Sequence, residues 1–406
     1  MLAQTFRSFE SPIYRIFFSA MLAHRASMNM HMLVRSLLVY RLTGSAAILG
    51  AMSFASLLPL ICVSLFGGAI ADRAQKKHII MIGESIMALV ALGVGFSLTV
   101  GYLSTEQGGS LWILVAASII QGTVMGLTLP SQQSILPEIV GEEQLMNAVS
   151  LNAMSMNVMR ILAPAAAGFL VDIAGFDAVY YTMAAMYLTA VALLSFMNHS
   201  SLIGTERKSA LGDIREGIKY IRKDTTILML LAFTLFGVVL SMPYLHMMPI
   251  FSDDVLHVGA TGMGVLMSAS GIGAIISSLA IASLPNKKRG MMMLVSSLIL
   301  GLTLAGFSFS NNWYLSLGLV GLVGMFHTAR MALSNTLLQY YTEPSYRGRV
   351  MSIFMMEFGL MSFGVFAAGL LTEAVGVQWA MGSFSIILMI LSILAFIYLK
   401  RIGKLD

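Results

Sequence analysis

The segment Phe66-Gly-Gly-Ala-Ile-Ala-Asp-Arg-Ala-Gln-Lys-Lys-His78 decides how the rest of the chain is read. It ends one apolar run, 46–70, and precedes another, 79–103. Each run is long enough to cross a bilayer as a helix of roughly 20 residues or more. Between them a short turn carries Asp72, Arg73, Lys76 and Lys77. A basic turn between two spans marks the cytoplasmic side of a membrane. Gly67 and Gly68 remove side-chain bulk where a neighbouring helix would approach.

Only 11% of the 406 residues are charged and 57% are hydrophobic, more apolar surface than a soluble protein of this size can bury. The chain is therefore read as an all-α membrane protein with twelve transmembrane helices. The apolar runs place these at 16–40, 46–70, 79–103, 111–130, 146–171, 177–197, 227–251, 261–284, 291–309, 315–338, 350–373 and 379–399. Of the 24 Lys and Arg residues, Arg25, Arg35, Arg160 and Arg330 fall within spans, and Arg41 alone lies on the side opposite the others. That asymmetry orients both termini to the cytoplasm. The net charge of +5 is thus a topology signal and not a nucleic-acid footprint. The single cysteine, Cys62, can form no intrachain disulfide. The first apolar segment is too long for a cleavable leader, and a bacterial inner membrane is the expected location.

The first span is unusually polar. His24, Ser27, His31 and Arg35 share one helix face, a wedge of roughly 80°. Charged groups at this depth face a bundle interior or a watery cavity. Two readings fit: the face lines a substrate cavity, or Arg35 is a structural cation paired elsewhere. In the tenth span His327, Arg330 and Ser334 repeat the pattern, and His246 of the seventh is grouped with them as cavity-lining. Glu84 and Glu357 are the carboxylates well inside spans. Burial favours protonation of such groups, so Glu357 first, then His31 and Glu84, are the candidates for proton coupling.

The chain carries an internal repeat. Ala166-Ala-Gly-Phe-Leu-Val-Asp-Ile-Ala-Gly175 returns as Ala367-Ala-Gly-Leu-Leu-Thr-Glu-Ala-Val-Gly376. Two six-helix halves, 1–197 and 227–406, are expected on either side of a polar linker, 198–226. Within the linker Ile214, Ile218 and Ile221 share one face, while Arg215, Lys219, Arg222 and Lys223 mark another. The pattern fits an amphipathic helix on the inner leaflet, or a plain solvated linker.

The Phe66–His78 segment resembles the signature loop of the major facilitator superfamily, Gly-x-x-x-Asp-Arg-x-x-x-Arg/Lys, with Gly68, Asp72, Arg73 and Lys77 at the matching places. Leu33–Ser45 resembles the end of the first helix in its drug:proton antiporter subfamily, which includes macrolide and siderophore exporters. Gln121-Gly122 resembles the Arg-x-x-Gln-Gly signature, with Ser118 in place of the arginine. Arg160-Ile-Leu-Ala-Pro164 through Gly168 resembles the Gly-Pro-x-x-Gly antiporter signature, with Ala163 in place of its first glycine and Gly168 one position late. A proline kink is expected at Pro164. Arg347-Gly-Arg349-Val resembles the opening of the eleventh helix in the same exporters.

The resemblance implies two six-helix bundles around a cavity bordered by the first, fourth, seventh and tenth helices. It assigns Gly68, Asp72, Arg73, Lys77, Arg160, Pro164, Gly168, Arg347 and Arg349 to conformational switching. Asp72 would meet the start of the eleventh helix near Val350 when the inner side is closed.

No enzyme signature is present: no His-Glu-x-x-His, no Gly-x-Ser-x-Gly, no phosphate-binding glycine loop and no cysteine pair. No metal or cofactor is expected, with a proton gradient as the energy source. The expected partners are a small-molecule substrate and the lipid bilayer, without nucleic acid, the chain acting as a monomer. The function implied is proton-coupled export of small amphiphilic molecules. An uptake symporter for an anionic or zwitterionic metabolite or lipid is the alternative.

Overall fold

The computed structural model describes residues 7–104, 110–199, 201, 210–283, 287–398 and 403, with the backbone alone at 65, 66, 68, 69, 71, 72, 142 and 210–215. The Asp72 carboxylate and the linker residues 202–209 lie outside the described residues, as do the side chains of Ile214 and Arg215, and of Gly68 only the helical backbone is described.

The described residues are helical almost throughout and form twelve spans. The first, Pro12–Thr43, is 32 residues long, roughly 48 Å at 1.5 Å per residue. Ser11 caps it by accepting from the Tyr14 N–H, and Gly44 ends it in the left-handed region at φ 62°. The second is Ala46–Arg73 and the third Lys76–Thr99. The fourth to sixth run as one helical stretch, Ser110–Ser195, broken by positive φ at Gly141 and Gly175. The seventh is interrupted: Thr225–Ser241 is followed by Pro243–Ile250 and a π-helical turn, Phe251–Val255. The remaining five are Gly259–Ser283, Arg289–Ser308, Trp313–Tyr341, Arg347–Val375 and Val377–Tyr398.

Ten segments among the described residues are long and apolar enough to cross a membrane. Glu143–Ser195 carries two spans, separated at Gly175. The first span is not among the ten, because its four basic and imidazole side chains, His24, Arg25, His31 and Arg35, lower its apolar character.

The backbone dihedrals stay helical through Pro164, and the non-helical ones within Ser110–Ser195 fall on Gly141 and Gly175. A proline removes one hydrogen bond but keeps a helical φ, whereas a positive φ is open to glycine without strain. The seventh span, expected to be continuous, stops at Ser241 because Pro243 cannot donate into the preceding turn.

The chain divides into two compact units, Met1–Gly44 with Ala55–Arg207, and Ser45–Phe54 with Lys208–Asp406. Within the first, the second and fourth spans cross with backbones in contact. A methyl group on Gly122 would stand 2.0 Å from the Ser56 carbonyl oxygen, and one on Gly67 2.2 Å from that of Gly126. The second unit repeats the device where the eighth and tenth spans cross. There a methyl on Gly324 would meet the Ser270 carbonyl oxygen at 2.0 Å, and one on Gly273 that of Gly321 at 1.9 Å. Gly175 and Gly376, equivalent in the sequence repeat, end their helices with φ of 88° and 83°.

The linker helix, Ala210–Lys223, is amphipathic as its spacing implies, and of its apolar edge Ile218 is exposed while Ile221 is buried. Ile221 is buried in the core of the second unit with Leu230, Leu337, Val350 and Phe354. Tyr220 stacks on Tyr346 at 4.2 Å, and Glu216 pairs with Arg349 at 3.0 Å.

Candidate functional site

The polar residues of the first unit assemble between the first, third, fourth and sixth spans. Arg35 donates to Gln121 Oε1 at 3.3 Å and to Ser118 Oγ at 3.5 Å. The other end of the same amide, Gln121 Nε2, lies 3.0 Å from His31 Nδ1. Since Oε1 accepts from Arg35, Nε2 is the donor to His31 Nδ1, and a neutral His31 carries its proton on Nε2. Ser118 stands where the related signature has arginine, and the cation missing there arrives from Arg35 on the neighbouring helix. His31 and Arg35 face a small cavity closed by Met87, Leu114, Tyr180 and Tyr187.

Lower on the same helix face, His24 Nδ1 approaches Glu84 Oε1 of the third span at 2.7 Å, off the hydrogen-bond axis, and the other carboxylate oxygen has no partner. Arg25 turns to the fifth span, bonding Ser155 and donating to Asn152 Oδ1 at 3.1 Å. Asn147 of that span accepts from the Ser8 N–H at 3.0 Å. The fifth span is thus tied to the first through Arg25 and to the turn before it, Arg7–Glu10, through Ser8.

The second unit builds a different site. Arg330 is fully buried and donates to the Thr234 carbonyl oxygen at 3.3 Å and to Met331 Sδ at 3.4 Å, while its Nε has no partner. Gly237 makes the room: a methyl there would sit 2.4 Å from a guanidinium nitrogen. Thr234 also donates its hydroxyl to Glu357 Oε1 at 2.6 Å, and Glu357 Oε2 is buried without a partner. One threonine therefore touches both the cation and the acid, by carbonyl and by hydroxyl. His327 Nδ1 lies 3.5 Å from Ser241 Oγ, which itself donates to the Gly237 carbonyl oxygen at 2.6 Å. Among the described residues no carboxylate comes within 4.0 Å of Arg35 or Arg330. Nor do three or more His, Cys, Asp or Glu residues converge as metal ligands.

The remaining residues singled out in the sequence are placed as follows. His246 is half-buried in Pro243–Ile250. Arg160 is half-buried, and Pro164 and Gly168 are buried on the fifth span. Arg73 and Arg347 are exposed. Lys77 donates to the carbonyls of Met197 at 2.5 Å and Ser195 at 3.2 Å, capping the end of the sixth span. Its neighbour Lys76 is buried and pairs with Glu138, which also lies 3.3 Å from His199. Arg349 is engaged by the linker helix.

Thr234, Gly237 and Tyr187 were not singled out in the sequence. Thr234 and Gly237 are small residues one turn apart in an apolar run, a pattern that ordinary packing also produces.

Residues 3–405 match a family described as transmembrane secretion effectors. The chain is 24% identical over 335 residues to the staphyloferrin A transporter of Staphylococcus aureus, covering 82% of this chain and 83% of that one. It is 22% identical over 375 residues to macrolide efflux protein A of Streptococcus pyogenes, covering 90% of each. A solved structure of a bacterial homologue of the human lysosomal transporter Spinster is similar at a TM-score of 0.77 and 12% identity, over 99% of both chains. At that identity the likeness is one of fold.

Proposed function

This chain belongs to the transmembrane secretion effector family of major facilitator transporters, and from that premise we propose that it exports small amphiphilic molecules, driven by proton entry. Its two halves would rock about a central site, opening it to each side in turn. The cytoplasmic concentration of Lys and Arg supports an inner-membrane placement with both termini inside. Asp72, Arg73 and Lys77 at the inner turn, with Arg347 at the start of the eleventh span, are assigned to the switching between states.

The observation that carries the reading is the Arg330–Thr234–Glu357 cluster. Glu357 is buried inside the bundle with one carboxylate oxygen unpartnered, an acceptor left open. Arg330 and Glu357 meet on Thr234, so a movement of the Thr234 turn changes the contacts of both. Arg35 and Arg330, without carboxylates at ion-pair distance among the described residues, favour a substrate with an anionic or strongly accepting head and an apolar body. His31 and His327 beside them add donors. Relatives named for staphyloferrin A and for macrolides support a small-molecule substrate.

The test is transport into everted vesicles with anionic, zwitterionic, neutral and cationic probes under an imposed pH gradient. Wild type is expected to concentrate the anionic or zwitterionic probes, which corresponds to export from the cell. Glu357→Gln is expected to equilibrate them without concentrating them. Concentration against a gradient by Glu357→Gln, with an unchanged pH profile, removes Glu357 from coupling. Gradient-driven movement in the opposite direction identifies an uptake symporter.

A further inference from the structure

The first unit holds a buried acid–base pair that the Glu357 reading leaves unused. His24 Nδ1 and Glu84 Oε1 stand 2.7 Å apart, joining the first and third spans, with side-chain exposure of 17% and 2%. The two atoms lie off the hydrogen-bond axis, so they share a proton only when the imidazole turns toward the carboxylate. With one proton the pair is neutral overall, as imidazolium and carboxylate or as imidazole and carboxylic acid. Removing that proton leaves a buried negative charge, and adding another leaves a buried positive one.

The groups around the pair do not fix its charge. Arg25 is turned to Asn152 and Ser155, and His31 and Arg35 are engaged with the fourth span. Tyr187 of the sixth span lies beside the imidazole, ring centres 6.3 Å apart. The second oxygen of Glu84 is buried and accepts no hydrogen bond. His24 is the more exposed of the two.

We propose that His24 and Glu84 form a second exchangeable proton site, inside the first bundle and separate from Glu357 in the second. In its exchange step a proton binds the imidazole Nε2, the ring turns to bring Nδ1 onto the hydrogen-bond axis, and the Nδ1 proton passes to Glu84 Oε1, giving imidazole and carboxylic acid. Release reverses the step, with no other bond made or broken. The pair's use in transport rests on the proposed proton coupling, but its chemistry can be read without any substrate.

The experiment is infrared difference spectroscopy of the full chain in liposomes, titrated with acid in the absence of substrate. Wild type is expected to show a carboxylic-acid carbonyl band that grows on acidification and is lost in Glu84→Gln. Glu357→Gln is expected to keep that band. His24→Asn, which cannot take the proton, is expected to shift that band in frequency and change its growth on acidification. Spectra of Glu84→Gln that superimpose on wild type overturn the proposal, as do spectra of His24→Asn that do so. Vesicles that show no proton-coupled transport would overturn the functional reading and leave these spectra as they are, so the two fail separately.

Discussion

Arg35 in the first half and Arg330 in the second are both held inside a bundle by neutral acceptors, yet the nearby acid is treated differently in each. In the first half, Arg35 meets Gln121 and Ser118 while the acid Glu84 pairs with His24. In the second, Arg330 and Glu357 meet on a single residue, Thr234. The first arrangement separates cation and acid, so each can change partner or charge alone. The second makes the charge of Glu357 answer to the position of Arg330. A repeat that duplicates the backbone need not duplicate the electrostatics, because one side chain on a shared scaffold redirects several others.

The strongest test of what the halves share is at the helix crossings. Gly122→Leu and Gly324→Leu each drive a side chain into a carbonyl oxygen 2.0 Å from the ideal Cβ position. Backbone on two packed helices cannot retreat as a side-chain tip can. Both variants are expected to lose the monodisperse peak on size exclusion in detergent. Gly93→Leu and Gly318→Leu, with nothing within 4 Å of the added Cβ, are expected to elute as wild type does. A well-behaved Gly122→Leu beside a failed Gly324→Leu would show that only one half depends on its crossing.

A smaller effect separates the two arginines. Arg330 is the largest fully buried side chain among the described residues, and its loss leaves a cavity beside Thr234. Arg330→Ala is expected to destabilise by about 3 kcal/mol, in the range for emptying a large buried site. Arg35→Ala removes hydrogen bonds to neutral groups and should cost about 1 kcal/mol. Thermal unfolding in detergent compares them, and the combination Arg330→Met with Glu357→Gln is expected to recover most of the first loss. Equal losses for Arg35→Ala and Arg330→Ala would erase the contrast between the halves.

The smallest effect concerns Glu373, the repeat counterpart of Asp172. Its carboxylate accepts from the Ser45 hydroxyl and, at 3.2 Å, from the Ala47 N–H, capping the first turn of the second span. Glu373→Ala is expected to speed amide exchange at the start of that span while leaving the rest of the protection pattern in place. Unchanged exchange there would mean that Ser45, whose own hydroxyl accepts from the Ile48 N–H at 3.2 Å, caps the helix unaided.

Much of the fold was legible before any coordinates. Apolar run length alone places most spans, since a bilayer fixes the length a helix must have. The repeat ending in Gly175 and Gly376 was visible as sequence, and both glycines take the same positive φ. The polar face of the first span was legible too, because helical spacing puts His24, His31 and Arg35 on one side whatever surrounds them. The break in the seventh span was signalled by Pro243 but hidden by unbroken hydrophobicity on either side.

The partners of those polar residues were not legible. Spacing along one helix says nothing about which neighbour it meets. That Glu84 takes His24, that Arg35 reaches the position where Ser118 replaced an arginine, and that Thr234 serves both Arg330 and Glu357 are matters of rotation and height between packed helices. The same holds for Ile221, whose apolar edge was evident in sequence but whose cover, a bundle core and not lipid, depended on what lay beside it. Sequence by itself determined where the helices are and which faces are polar, since bilayer thickness and helical period act on each segment alone. Tertiary structure decided who meets whom, since a buried polar group accepts any partner that packing brings within hydrogen-bond reach.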